Sequence, residues 1–591
     1  ETVQGIITAR LDSLPPEEKE LLLDAAVLGK TFWRGALDGD DVEARLRSLQ
    51  RKEFVRRERR SAVAGENEYA FAHLLIRDVA YAQLPRAGRA DKHVRAARWI
   101  DSLTGDRSAD LADLRAHHYL AALELVEASG GDDSALVDPA ADALLTAAQR
   151  ALKLFAFSQV ERYATRGLEL VPDGDPRRPT ALLALAAAEA ELGNAEFYKR
   201  TDHAAEDFIA LGDLESAAEA ETLAGNWLWN FGDRDGARAA AKRAIDLLVD
   251  VPLSRAKPAA LAAHARLLML GGEYNEAIAV GTAGLEAARE VGAEGIEASV
   301  LITLGTAGDA LNRSGFDELE QGIAIADRLN IPREFTRGHN NVAEQLVVRG
   351  DITGAERHYQ IALERMERLG IVQSVVWLLP QLAEISFLRG EWSRTEEVLQ
   401  RYDRILHSMA GHYLDVQVDT VRAQMAGARV GRAAGEVWER AVERGRVVKD
   451  PQALAPTLSG YARFLLQYGE ADAAIELIDE MNQLPTQYFS ALIDFGWVAH
   501  DLGRPFLWTS ERSGVWADAG RLIAGGELAT AADLLAEKGM RVEEAYARLR
   551  AAEGLTGTER AAQLEPALAF YRAVGASSYV LRAEALLPAS A

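Results

Sequence analysis

Five groupings in this 591-residue chain have residue types that could do chemistry. Gly29-Lys30-Thr31 carries the ending of a phosphate-binding loop, but G-x-x-x-x-G-K-T needs glycine at position 24, where Asp24 stands. The tripeptide also follows a helical pattern instead of linking strand to helix, so it reads as a helix C-cap. His117 and His118 are neighbours, and on a helix they diverge by about 100°, so the pair is not expected to hold one ion. Glu396-Glu397 and Glu543-Glu544 are likewise side by side and read as solvated. Arg51, Lys52, Arg56, Arg57, Arg59 and Arg60 are the right type for nucleic-acid phosphates. The last grouping is polar and aromatic: Thr222, Asn226, Trp229, Asn230, Arg266, Asn340, Glu344, Glu384 and Arg463 recur near glycine turns. H-E-x-x-H and G-x-S-x-G do not occur, and without cysteine there is no thiol nucleophile, thiolate site or disulfide. The chain is expected to be non-catalytic, with no metal site and no cofactor of its own.

The elements that position the last grouping repeat. Turn glycines fall at Gly193, Gly232, Gly272, Gly315, Gly350, Gly390, Gly431, Gly469 and Gly526, with first spacings of 39, 40, 43, 35 and 40. Seven residues before the turn stands a small residue: Ala186, Gly225, Ala265, Gly308, Ala343, Ala383, Ala462 and Ala519. Leu recurs four before it, and Ala five after it at Ala237, Ala277, Ala355, Ala474 and Ala531. Small residues where two helices cross let the axes approach, and such pairs bury their apolar faces only by stacking. The pattern resembles the tetratricopeptide repeat (TPR), stretched to about 39 residues. Gly315 and Gly431 are degenerate, with Glu320 and Glu436 where Ala is expected. The resemblance implies a groove lined by the first helix of each pair. It places Asn226, Arg266, Glu344, Glu384 and Arg463 six before the turn, Thr222, Asn340 and Ser459 ten before it, and Trp229, Met269, Val347 and Phe387 three before it. Asn230 and Gln467 neighbour these. Against that, a Trp at helical spacing usually packs in a core, and inward Glu and Arg can simply bridge neighbouring repeats.

The first 120 residues read as helices over Val3–Ser13, Pro16–Val27 and Val42–Leu49. Two strand-like pieces, Phe54–Arg57 and Glu68–Phe71, and helices near 73–83 and 86–101 follow. Ala9-Arg10-Leu11, Leu14-Pro15-Pro16-Glu17-Glu18-Lys19, Ala25–Trp33, Lys52-Glu53-Phe54-Val55, Phe71-Ala72-His73 and Arg77-Asp78-Val79-Ala80-Tyr81 carry a resemblance. They are similar to the winged-helix part of actinobacterial STAND signalling ATPases fused to nucleotide cyclase domains. That resemblance implies an upstream ATPase domain in cis, ATP or ADP with Mg in the parent protein, and a winged helix that docks on the ATPase. It also implies that His73, at a helix start, faces the nucleotide's β-phosphate.

The expected architecture is mainly α: a winged-helix domain over 1–84, a helical connector over 85–139, and a right-handed TPR-like α-solenoid superhelix over 140–591 with 10–11 helix pairs. The first 120 residues carry 20 basic and 20 acidic side chains, so the whole −24 net charge lies beyond them. Such an acidic array repels nucleic acid and anionic membranes. A basic wing over 51–60 keeps a DNA-binding regulator as an alternative, and a free-standing TPR scaffold is another. The favoured expectation is a sensor that binds a protein, a peptide or a small effector and relays it to the ATPase. A cytoplasmic address fits the lack of cysteine, and Glu at position 1 reads as an artificial or processing boundary.

Overall fold

The computed structural model describes residues 3–103, 111–311, 313–406, 414–448, 450–484, 491–504 and 514–587. They form two compact units, 1–189 and 190–591. Among the described residues no helix is long and apolar enough to cross a membrane.

The first unit opens with α1 (Val3–Asp12) and α2 (Pro16–Leu28), then β1 (Thr31–Trp33), α3 (Val42–Arg51), β2 (Val55–Arg57) and β3 (Glu68–Phe71). Pro16 and the acids Glu17 and Glu18 start α2, and Gly29, with φ of 131°, ends it and turns the chain directly into β1. β1 was not anticipated, because three residues are too few to show an alternation. The sheet runs β1-β3-β2, antiparallel throughout, with Phe32 opposite Tyr69 and Val55 opposite Phe71. The sequence led us to expect three helices followed by a hairpin, and the structure adds β1 between the second and third helices. Phe32, Tyr69 and Phe71 cluster over Leu22, Leu46 and Leu49, which are almost wholly buried. Next come α4 (Leu74–Gln83), α5 (Arg86–Ser102), α6 (Ala112–Glu127), α7 (Ser134–Lys153) and α8 (Phe157–Leu170). One core runs from Ala97 on α5 through Tyr119 on α6 and Leu144 on α7 to Val160 on α8.

The second unit is a TPR-like α-solenoid. The glycine turns end one helix, and where Asp follows the glycine its side chain caps the next. After the Leu214–Asn230 helix, Gly232 takes φ of 87°, Asp233 N donates to Leu228 O at 2.9 Å, and the Asp233 carboxylate accepts from Gly236 N at 2.9 Å. Asp351 repeats the cap on Gly354 N at 2.8 Å. Ala265, Ala343, Ala462 and Ala519 before the turns, and Ala237, Ala277, Ala355, Ala474 and Ala531 after them, are all 0% exposed. A Cβ at Gly225 would stand 3.1 Å from Ala237 O, so the two registered positions are the crossing itself.

The stack also closes on itself lengthwise. The turn at Gly232 lies against Val448, and Arg234 pairs with Asp450. Gln452 Nε2 donates to Leu270 O at 3.4 Å, and Trp516 Nε1 to Val347 O at 2.8 Å. Gly390 lies against Phe570, and Gly431 against Ser578. First-helix ends therefore rest on repeats about five further along, one superhelical turn later.

At the degenerate repeat the tight approach shifts register. A Cβ on Gly305 would fall 2.5 Å from Gly315 O, whereas one on Gly308 would find its nearest neighbours only at 4.0 Å. Gly305→Ala is expected to destabilise the chain by about 1–3 kcal/mol through overpacking. Gly308→Ala, in the last turn of the Glu294–Ala310 helix and unobstructed, should be neutral or stabilising by up to about 1 kcal/mol. Denaturant unfolding of both variants checks the contrast, and equal effects would refute the register.

Candidate ligand-binding site

Inner side chains of successive first helices form a polar ladder. Asn226 donates through Nδ2 to Thr222 O at 3.0 Å and accepts at Oδ1 from Arg266 Nη1 at 3.0 Å, so adjacent repeats are stitched together. Thr222 itself donates to Ala218 O at 2.7 Å. Trp229 is buried beneath the Arg234 guanidinium, 3.9 Å from its ring centre, and the half-buried Asn230 follows it. Met269, Val347 and Phe387 are also buried.

Further along, the Pro332–Val348 helix carries Asn340 and Glu344, with Glu384 on the Val372–Leu388 helix. Tyr359 donates to Glu344 Oε1 at 2.6 Å, Asn341 Nδ2 to Thr306 Oγ1 at 2.8 Å, and Gln417 to both Gln381 and Glu384. Asn340 Oδ1 and both amide atoms of Gln345 are buried without a hydrogen-bond partner. Glu344 and Glu384 keep part of their surface open but lie deep among protein atoms. Loss of hydration pushes the Glu344 carboxyl up to about 7, opposed by the Tyr359 hydrogen bond and reinforced by the Glu384 charge. Glu384 is raised for the same leading reason.

Arg463 belongs to a different setting. Its Nη1 donates to Asp494 Oδ1 at 2.7 Å and to Glu543 Oε2 at 2.9 Å, all three residues being buried. Its guanidinium stacks on Tyr546 with 4.0 Å to the ring centre. Burial, offset by Arg463 and reinforced by Glu543, raises the Asp494 carboxyl to about 6. The trio borders a cavity, partly open to solvent, walled by Phe387, Trp392, Trp438, Tyr546, Phe570 and Tyr571. Tyr571 Oη, Trp438 Nε1 and Trp392 Nε1 are buried with no hydrogen-bond partner. A ligand with an apolar body and hydrogen-bond acceptors would complete them. Its walls come from both superhelical turns, which is why spacing exposed Arg463 but not Asp494, Glu543, Trp438 or Tyr571.

In the first unit His73 is the exposed N-cap residue of α4, at the helix start expected for it. The sequence argument that His117 and His118 cannot converge is corrected. Each of His93, His117 and His118 offers a ligand atom, and these lie within 4.8 Å of one another. The imidazole arms span the divergence at the backbone, bringing the two ring centres to 5.4 Å, and His93 on α5 completes the group.

No family model matches the chain, and no curated protein matches it in sequence. Solved structures similar to it include a Rap protein complexed with competence and sporulation factor, 13% identical over 67% of this chain and 96% of that one, TM-score 0.36. A STAND protein with a tetratricopeptide repeat sensor from Pyrococcus horikoshii is 11% identical over 82% of this chain, TM-score 0.37, and the match spans 65% of that protein's chain. The APC/C hetero-tetramer Cut9-Hcn1 is 12% identical over 98% of this chain and 99% of that one, TM-score 0.39. At such identities and scores these likenesses carry none of the functional argument.

Glu344 supplies a test of the ladder. A carboxyl raised in the folded state lends stability below its unfolded value near 4.5 and loses it as pH climbs through about 7. Glu344→Gln, which keeps the shape without the charge, should therefore raise the melting temperature relative to the parent near pH 8 and leave it nearly unchanged below about pH 4. An equal shift at both pH values would remove the buried-charge account.

Proposed function

We propose that this chain is the non-catalytic sensor of a STAND-type signalling protein. A small effector enters the aromatic cavity of the second unit, and the first unit, a winged helix with its helical extension, passes the event to an ATPase in the same parent polypeptide. The observation that carries the reading is the cavity: aromatic walls with buried, unpartnered donors beside the Arg463–Asp494–Glu543 cluster. Such a ligand binds residues from two superhelical turns, so it favours the curvature that brings them together and shifts the population by that difference in affinity. The sequence resemblance of residues 9–81 to the STAND winged helix supports the relay, and His73 at the start of α4 is proposed to meet the nucleotide there. Bound to the parent, ATP or ADP with Mg would be the cofactor, and the setting would be the cytoplasm.

Titration of the chain with the neutral dye Nile red tests the cavity. Saturable binding with quenching of tryptophan emission is expected. Val542 also lines the cavity, so Val542→Trp should fill it and abolish binding, and Tyr571→Phe, which removes one donor, should weaken an acceptor-bearing dye about three- to tenfold. Binding indifferent to Val542→Trp would overturn the site. The relay is tested separately by gel filtration of the parent in ATP and in ADP, where identical elution would defeat it.

A further inference from the structure

The first unit contains a group of side chains that the sensor reading leaves unused. His93 on α5 and His118 on α6 are buried, and His117 is exposed. His93 Nδ1 lies 2.9 Å from His118 Nδ1, and Tyr81 Oη on α4 lies 3.0 Å from His93 Nε2. His118 Nε2 is buried with no hydrogen-bond partner, so protein atoms alone do not satisfy the group. Two neutral imidazoles facing each other through Nδ1 share one proton in an N–H···N hydrogen bond, which leaves the far nitrogen of His118 unsatisfied in a buried place.

We propose that His93, His117 and His118 form a three-histidine site for one divalent transition-metal ion of the zinc type, with the solvent side left for water. Three imidazole nitrogens suit Zn²⁺, Co²⁺, Ni²⁺ or Cu²⁺ and not the oxygen-seeking Mg²⁺ or Ca²⁺. Two nitrogens on one tetrahedral ion stand about 3.3 Å apart at the usual bond lengths, so the 2.9 Å separation needs only a small opening. With Nδ1 of His93 as ligand, its Nε2–H donates to Tyr81, the outer hydrogen bond that fixes a ligating histidine's tautomer. Metal entry then moves the shared proton to the far nitrogen of His118. Arg77 and Arg89, stacked on Tyr81 at 5.0 and 4.7 Å, oppose a cation, while Glu124 favours one near His117. The affinity thus comes from the ligand bonds, and an occupied site pins α4, α5 and α6 together.

The test uses the whole chain without a histidine tag, stripped by a chelator, titrated calorimetrically with Zn²⁺ and followed by visible absorption with Co²⁺. One equivalent per chain and the absorption of tetrahedral Co²⁺ are expected. His117→Ala, at an exposed position that does not endanger folding, should weaken binding about tenfold or more with an unchanged circular dichroism spectrum. His93→Gln should abolish it. His358→Ala, which dismantles the His339–His358 contact in the second unit (Nδ1 to Nδ1, 3.0 Å), should change nothing. Absence of saturable binding, indifference to His117→Ala, or loss in His358→Ala would each overturn the proposal.

Discussion

Two helices can approach to backbone contact only where neither carries more than a methyl group at the crossing. The rest of the second unit follows from that requirement. At Gly232, Gly272, Gly350, Gly469 and Gly526, alanine or glycine seven residues before the turn meets alanine five after it, and these positions are sealed from solvent. The fixed approach sets a nearly constant rotation from pair to pair, and the accumulated rotation makes a superhelix. Where the crossing moves to Gly305 and Gly315, the neighbours have moved with it, since no side chain at all fits between them.

The accumulated rotation produces contacts that no single repeat contains. Asp450 reaches Arg234, Trp516 reaches Val347, and Phe570 reaches Gly390. Within these contacts lies the aromatic cavity, so its shape is a property of the superhelical pitch. That geometry makes a ligand there a reporter of curvature. It also explains the buried Arg463: a cation enclosed by the returning turn needs two acids, and Glu543 lies 80 residues away in sequence.

Much of this was legible in the chain. The helix pairs, their turns and their crossing residues announce themselves because each depends on neighbours a few residues away. The same locality revealed β2 and β3 and the start of α4 at His73. Contacts between turns were not legible, since they depend on small rotations summed over about five repeats. Trp229 illustrates the difference. Its spacing placed it on the inner face, but only the fold shows Arg234 and Asp450 covering that end of the helix. The convergence of the histidine group was not legible for a related reason. Angular divergence of adjacent Cβ atoms says little about where two flexible imidazoles end, and His93 comes from another helix.

The pairing of Arg234 with Asp450 sets this array apart from open stacks of repeats. In a quasi-one-dimensional stack each unit answers only to its immediate neighbours, and evolution can lengthen or shorten the series one unit at a time. Here, inserting or deleting a single pair between those two residues would put the later coils out of phase with the earlier ones. The number of units is thereby frozen, and divergence must proceed by substitution within a fixed count.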